Sequence, residues 1–241
     1  MIIDIHNHIG LSKDGGCGTI EALLANMQKY DIRKAVIFAT DEKDKGETFE
    51  APNTRIFVLK DQYPDKIIAF ARLVPSVGDL AVKEFQRCLK LGSKGLKLKA
   101  KDGFSPKESS DILDLIPKKN KFPVIVHTAH NEYSQLQHWE PVIEAYPHIN
   151  FVLAHAAKDH YRKCIKVIKK YSNVYVDTST LSCDRTRHVY EEVGPSKILF
   201  ASDFPYSHPA VELAKFEVLI SNKDDLEMIL WKNAFELIEL E

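Results

Sequence analysis

Ile2-Ile3-Asp4-Ile5-His6-Asn7-His8-Ile9-Gly10 opens the chain as a short apolar run that ends in two histidines. Side chains on a strand alternate faces, so His6 and His8 are expected to point the same way, with Asp4 one layer below. Two imidazoles converging at a strand end are ligands for a borderline metal such as zinc. For an isolated His-x-His, a pair of hydrogen-bonded core histidines is the better reading, so the rest of the chain has to decide.

Outward from this stretch, apolar β-branched runs recur at 35–39, 67–73, 95–98, 124–126, 151–154, 174–176 and 198–201. With 2–5 they make eight. They show little polar alternation, as expected of parallel strands covered on both faces. Helical spacing fills the intervals at 20–30, 80–91, 111–119, 135–146, 161–171, 210–220 and 224–240, with Thr19 as N-cap of the first. This alternation predicts a (β/α)8 TIM barrel, one α/β domain over residues 1–241. The alternative, an open doubly wound sheet, usually carries a Gly-x-Gly-x-x-Gly turn after its first strand; Gly15-Gly16-Cys17-Gly18 lacks that order. The charged stretch 41–52 reads as a solvated loop.

Composition narrows the class. A 44% hydrophobic content supports a large core, and a net charge of −1 gives no sign of a nucleic-acid or acidic-membrane partner. Neither a signal peptide nor an apolar run of the roughly 20 residues that span a bilayer is expected. Cys17, Cys88, Cys164 and Cys183 show no paired spacing and read as free thiols of a reducing cytoplasm.

Position is the informative feature of the polar residues, because barrel chemistry sits at the C-terminal ends of the strands. The first run ends in His6 and His8, the fifth in His127, the sixth in His155 and the eighth in Asp203. The segments Ile3-Asp4-Ile5-His6-Asn7-His8, Gly95-Leu96-Lys97-Leu98, Val126-His127-Thr128-Ala129, Leu153-Ala154-His155-Ala156, Val174-Tyr175-Val176-Asp177-Thr178-Ser179, Phe200-Ala201-Ser202-Asp203-Phe204-Pro205 and Asn233-Ala234 occur in order along the chain. Together they resemble the amidohydrolase superfamily, and within it the amidohydrolase-2 type, which includes aminocarboxymuconate-semialdehyde and related aromatic-acid decarboxylases. The resemblance implies that His6, His8, His127 and Asp203 ligate one divalent metal, that Asp203 also accepts a proton from water, and that His155 is the catalytic histidine. Zinc leads, with manganese, iron or cobalt equally compatible with three imidazoles and a carboxylate. The family often follows the Gly-x-Lys-Leu run with histidine; here that position is Lys99.

Lys97 and Lys99 carry an independent argument. An unpaired ammonium among apolar helices is costly, so both are expected to face inward, Lys97 toward a carboxylate such as Asp4 and Lys99 toward a substrate acid group. In some relatives a lysine of this strand is carbamylated and bridges two metals. Arg72 and Asp177, at other strand ends, are further candidates for substrate binding, since guanidinium matches carboxylate geometry. Arg185 and Arg187 read equally as surface ion pairs, and Trp139 as core. The expected function is a metal-dependent hydrolase acting on an amide, ester or lactone of a small molecule. The alternatives are a metal-dependent decarboxylase of an unsaturated or aromatic acid and a non-catalytic metal-binding protein. Without long capping loops, the pocket fits a small-molecule substrate or is closed by a second subunit of a homo-oligomer.

Overall fold

The computed structural model describes residues 1–118 and 122–240. Its strands are β1 (Ile2–Leu11), β2 (Cys17–Gly18), β3 (Ile32–Ala39), β4 (Ile67–Ala69), β5 (Ala71–Leu73), β6 (Leu96–Leu98), β7 (Pro123–His127), β8 (Asn150–Ala154), β9 (Val174–Asp177) and β10 (Ile198–Leu199). Every one of the eight apolar runs forms its strand; the addition is β2, a two-residue strand antiparallel to the end of β1. The strands pair in two sheets, β2-β1-β3-β4 and β5-β6-β7-β8-β9-β10, parallel except for β2, and Phe70 links β4 of the first to β5 of the second. Phe70 N–H still donates to the Ile37 carbonyl at 3.0 Å, so β4 and β5 are two halves of one barrel strand. The ends meet where Ile5 N–H donates to Phe200 O at 3.1 Å and His8 N–H to Phe204 O at 2.7 Å. The result is a (β/α)8 barrel.

Alternation along each strand separates two cores. Ala35, Ile37, Ala39, Val124, Val126, Phe151 and Leu153 pack outward against the helices. Val36, Phe38, Ile125, Val152, Ala154 and Leu199 fill the barrel, and Ala234, Leu237 and Ile238 of the C-terminal helical segment join them. Leu96 and Leu98 belong to the outer set, which leaves the intervening Lys97 facing inward as expected.

Helices form at Ile20–Lys29, Asp79–Lys90, Leu136–Ala145, Tyr161–Lys170 and Pro209–Leu219, each within about a residue or so of the expected span. The Thr19 hydroxyl accepts from Ala22 N–H at 3.1 Å, the expected cap. Four differences stand out. The helix expected over 111–119 is a single turn, Ser110–Leu113, and its end at Lys119 lies outside the described residues. The expected loop at 41–52 holds as far as Phe49, although it begins at a buried Asp41, and its last residues open a helix that the apolar spacing did not show, Glu50–Gln62. A helix at Cys183–Val193 had no counterpart in the apolar spacing. The terminal helix is interrupted by a π turn at Met228–Lys232. No helix among the described residues is long and apolar enough to cross a membrane.

Candidate metal centre

A register shift in β1 shapes the site. Asp4 pairs with Ala35 and Asn7 with Ile37, so β1 carries one residue more than β3 between those points. Such a bulge re-aims side chains. Asn7 holds it open: its Nδ2 donates to Asp4 O at 3.3 Å and Val36 O at 3.1 Å. Ile3 and Ile5 therefore fill the barrel interior, and His6 and His8 follow on the inner face above them. Asp4 does not lie below the histidines as the simple alternation implied. Its carboxylate turns to the β1–β10 seam, where Oδ1 accepts from Ser202 N–H at 3.0 Å and from His6 N–H at 3.2 Å. Burial raises its pKa to about 7.

His6 Nε2 and His8 Nε2 stand 3.2 Å apart, and Asp203 Oδ1 is 3.3 Å from each. Ligand atoms about 2.0–2.1 Å from a tetrahedral ion are about 3.3–3.4 Å from one another, so these three atoms mark one face of such a shell. Asp203 Oδ1 has no hydrogen-bond donor among the described residues. Asp177 Oδ2 accepts a hydrogen bond from His6 Nδ1–H at 2.9 Å, which leaves the His6 Nε2 lone pair directed into the nest. Burial lowers the pKa of His6 to about 4 and that of His8 well below the usual value, so both imidazoles are neutral and ready to ligate. The residues present fit a divalent metal.

The surrounding groups fix this arrangement. Asp177 is fully buried; burial pushes its pKa up, but His6, His155 and Ser179 outweigh that and hold it well below the usual carboxylate range. Its Oδ1 accepts from His155 N–H and Ser179 N–H, both at 3.0 Å. His155 begins a run of four left-handed residues, with φ of 61° there, 44° at Ala156, 59° at Ala157 and 51° at Lys158. Non-glycine residues in this region cost of order 1–3 kcal/mol each and persist only where neighbours over-determine them. Here the Asp177 carboxylate grips one end, and the Thr128 hydroxyl accepts from Ala157 N–H at 3.0 Å. The run turns the chain sharply off β8 and leaves His155 in the cavity, with Nδ1 2.9 Å from Ser179 Oγ and 3.9 Å from Asp203 Oδ2.

The other expected residues divide. His127 stands outside the three-atom nest; its ring meets that of His155 edge to face, with centroids 5.1 Å apart. Burial lowers both pKa values well below the usual one. Lys97 does not meet Asp4. Its Nζ lies 3.0 Å from His6 Nε2 and 4.8 Å from the centre of the Phe38 ring, and burial brings its pKa down to about 7. The seam position of Asp4 is the reason. Arg72 is fully buried, with Nη2 2.8 Å from Asp102 Oδ2 and Nη1 donating to Ala39 O at 3.0 Å. Both terminal nitrogens of its guanidinium and the Asp177 carboxylate are thus engaged by protein partners, while Arg72 Nε has none among the described residues. Arg185 and Arg187 pair with Asp159 and Asp184, and Trp139 is core.

A cavity of about 360 Å³ opens over the nest, lined among others by His8, Lys99, His127, His155, Asp203 and Tyr206. Tyr206 presents its ring edge to His8 at 5.2 Å and anchors its hydroxyl 3.0 Å from Ser12 Oγ. Lys101 and Lys158 also line it and were missed in the sequence. Lys101 continues the two-residue spacing of Lys97 and Lys99, a signal that was available; Lys158 reaches the cavity through the left-handed run, which leaves no pattern.

The amidohydrolase family model Amidohydro_2 matches residues 3–240. The chain belongs to that family. As an amidohydrolase-family enzyme it shares its fold with several solved structures. 5-Carboxyvanillate decarboxylase LigW from Sphingomonas paucimobilis is 13% identical with a TM-score of 0.76, covering 100% of this chain and 99% of that one. 4-Oxalomesaconate hydratase LigJ from Rhodopseudomonas palustris is 16% identical with a TM-score of 0.74, covering 99% and 96%. A dihydroxybenzoic acid decarboxylase from Polaromonas sp. JS666, solved with bound manganese and an inhibitor, is 14% identical with a TM-score of 0.71, covering 99% and 96%. At these identities the likeness establishes the barrel. No curated protein sequence matches the chain.

Proposed function

We propose that this enzyme is a metal-dependent hydrolase that cleaves an amide, ester or lactone bond of a small molecule. The observation that carries the reading is the face of three donor atoms, His6 Nε2, His8 Nε2 and Asp203 Oδ1, spaced 3.2–3.3 Å apart at the floor of a cavity. A divalent ion held there would supply Lewis acidity and lower the pKa of a water in the cavity toward about 7. His6 and His8 hold the ion as neutral donors, and Asp177 fixes the tautomer of His6. His127, as the resemblance to the family implies, would complete the ligand set from the cavity wall. Asp203 offers one oxygen to the ion and keeps Oδ2 for a proton from water. His155, its ring steadied by Ser179, faces the substrate oxygen as hydrogen-bond donor or proton carrier.

One ion per chain is the favoured count. His6, His155 and Asp177 form a second candidate group, but Asp177 is already engaged by His6, His155 and Ser179. Zinc leads on donor type, and manganese follows because the Polaromonas relative holds it.

The second reading is non-oxidative decarboxylation of an unsaturated or aromatic acid. It is favoured by the shared fold with LigW and the Polaromonas decarboxylase and by the lysines that line the cavity. A panel of lactones, esters, amides and aromatic acids, incubated with zinc- or manganese-loaded protein, separates the two. Acid release from a lactone, ester or amide supports hydrolysis. Carbon dioxide from an aromatic acid with no such hydrolysis overturns it in favour of the second.

A further inference from the structure

Around the ends of β1, β3, β5 and β6, one buried carboxylate faces four cations. Asp41 Oδ2 lies 2.8 Å from Lys13 Nζ and 3.9 Å from Lys99 Nζ; Oδ1 lies 3.7 Å from Lys45 Nζ and 3.9 Å from Arg72 Nη2. Asp102 adds a second carboxylate, and Arg72 claims it at 2.8 Å. Four cations stand against two carboxylates. Lys13 and Lys45 reach water, where their charge is screened, but the Lys99 side chain is 11% exposed. Lys99 has only a distant share of Asp102 and Asp41, whose nearest partners are Arg72 and Lys13. It is also the one of the four that lines the cavity. Lys101, two residues on, lines the same cavity, and among the described residues its ammonium has no ion pair or hydrogen bond. A buried, under-neutralised ammonium facing a solvent-filled cavity is a site for an anion.

We propose that Lys99 and Lys101 form an anion subsite that holds a carboxylate of the substrate which does not itself react, so that the substrate is a small carboxylic acid. This builds on the reading that the reacting bond sits at His6, His8 and Asp203. Asp41 is the positioning residue: it holds Lys99 at the wall without neutralising it, because Lys13 and Lys45 draw on the same carboxylate. The cavity of about 360 Å³ is at the small end of ligand pockets, which suits a compact acid. Lys158 lines the cavity as well, so three ammonium groups stand there against the carboxylates of Asp14 and Asp203.

The test is calorimetric binding of glutarate, its neutral analogue glutaramide and inorganic phosphate to zinc-loaded protein, with zinc content measured on the same samples. Glutarate is expected to bind, more weakly as salt is added, and glutaramide not to bind. Lys99→Met is expected to weaken glutarate at least about 10-fold, as for loss of a charged hydrogen bond. Lys101→Ala, at an exposed position that the fold tolerates, is expected to weaken it about 2- to 5-fold. Unchanged glutarate affinity in Lys101→Ala and in folded Lys99→Met overturns the proposal. Phosphate binding that is tighter than glutarate and lost in these variants overturns the carboxylate assignment in favour of a phosphate ester. Absence of zinc together with lysine-dependent glutarate binding refutes the metal reading and leaves the subsite standing.

Discussion

Asp177 shows how far a residue's role depends on partners that are remote in sequence. At the end of β9 it looks like a group that lines the pocket, yet its oxygens lock His6 and the backbone of His155. Asp177→Asn is therefore expected to lower zinc affinity about 10–100-fold, the usual effect of losing a carboxylate behind a ligating histidine, as read by chelator competition. Unchanged affinity would remove it from that role. Arg72 behaves likewise. Removing its guanidinium leaves Asp102 buried and unpaired, so Arg72→Met is expected to destabilise the fold by about 3–5 kcal/mol in denaturant unfolding. An effect confined to substrate affinity would contradict this placement. His6 and His8 were legible because a two-residue period needs no long-range information. The partners of Arg72 and Lys97 were not, because Asp102 and His6 meet them only through the closure of the barrel.

At the scale of elements, the strands were legible and one helix in particular was not. Glu50–Gln62 docks through a buried Asn53, whose Nδ2 donates to Arg72 O at 2.9 Å and whose Oδ1 accepts from Arg72 N–H at 3.0 Å. A polar residue at the centre of the buried face breaks the apolar stripe on which sequence reading depends. The split between β4 and β5 has a comparable local cause. A Cβ at Gly95 would lie 2.3 Å from the Phe70 ring, so the ring of one strand packs against the bare backbone of the next. Gly95→Ala is expected to cost about 1–3 kcal/mol in chemical denaturation through overpacking. A neutral result would mean that Phe70 has room to turn away. The β1 bulge is a further element-scale device that alternation cannot reveal. It sets His6 and His8 on the inner face directly above Ile5, and so brings both Nε2 atoms to the nest.

For the molecule as a whole, the repeat of eight apolar runs fixed the barrel, and the strand ends fixed where polar groups gather. What the sequence withheld is the balance of charge over the cavity, because Lys13, Asp41, Arg72 and Lys99 come from four strand ends. An ion in the nest binds the folded chain and not the unfolded one. A metal at about 100 times its dissociation constant adds about 2.7 kcal/mol, so its removal by a chelator is expected to lower the unfolding midpoint by about 5–10 °C. Restoring the metal should restore both the midpoint and any activity. A midpoint indifferent to chelator and metal would place the ion outside the folded core.

The most direct measurement is the metal content of purified protein beside His8→Ala and Asp203→Asn, by elemental analysis after dialysis. About one zinc or manganese per folded chain is expected, falling close to zero in either variant, because each removes one of the three donors that define the face. Metal-free wild-type protein that takes up none on titration, or folded variants that keep the full amount, would contradict the account.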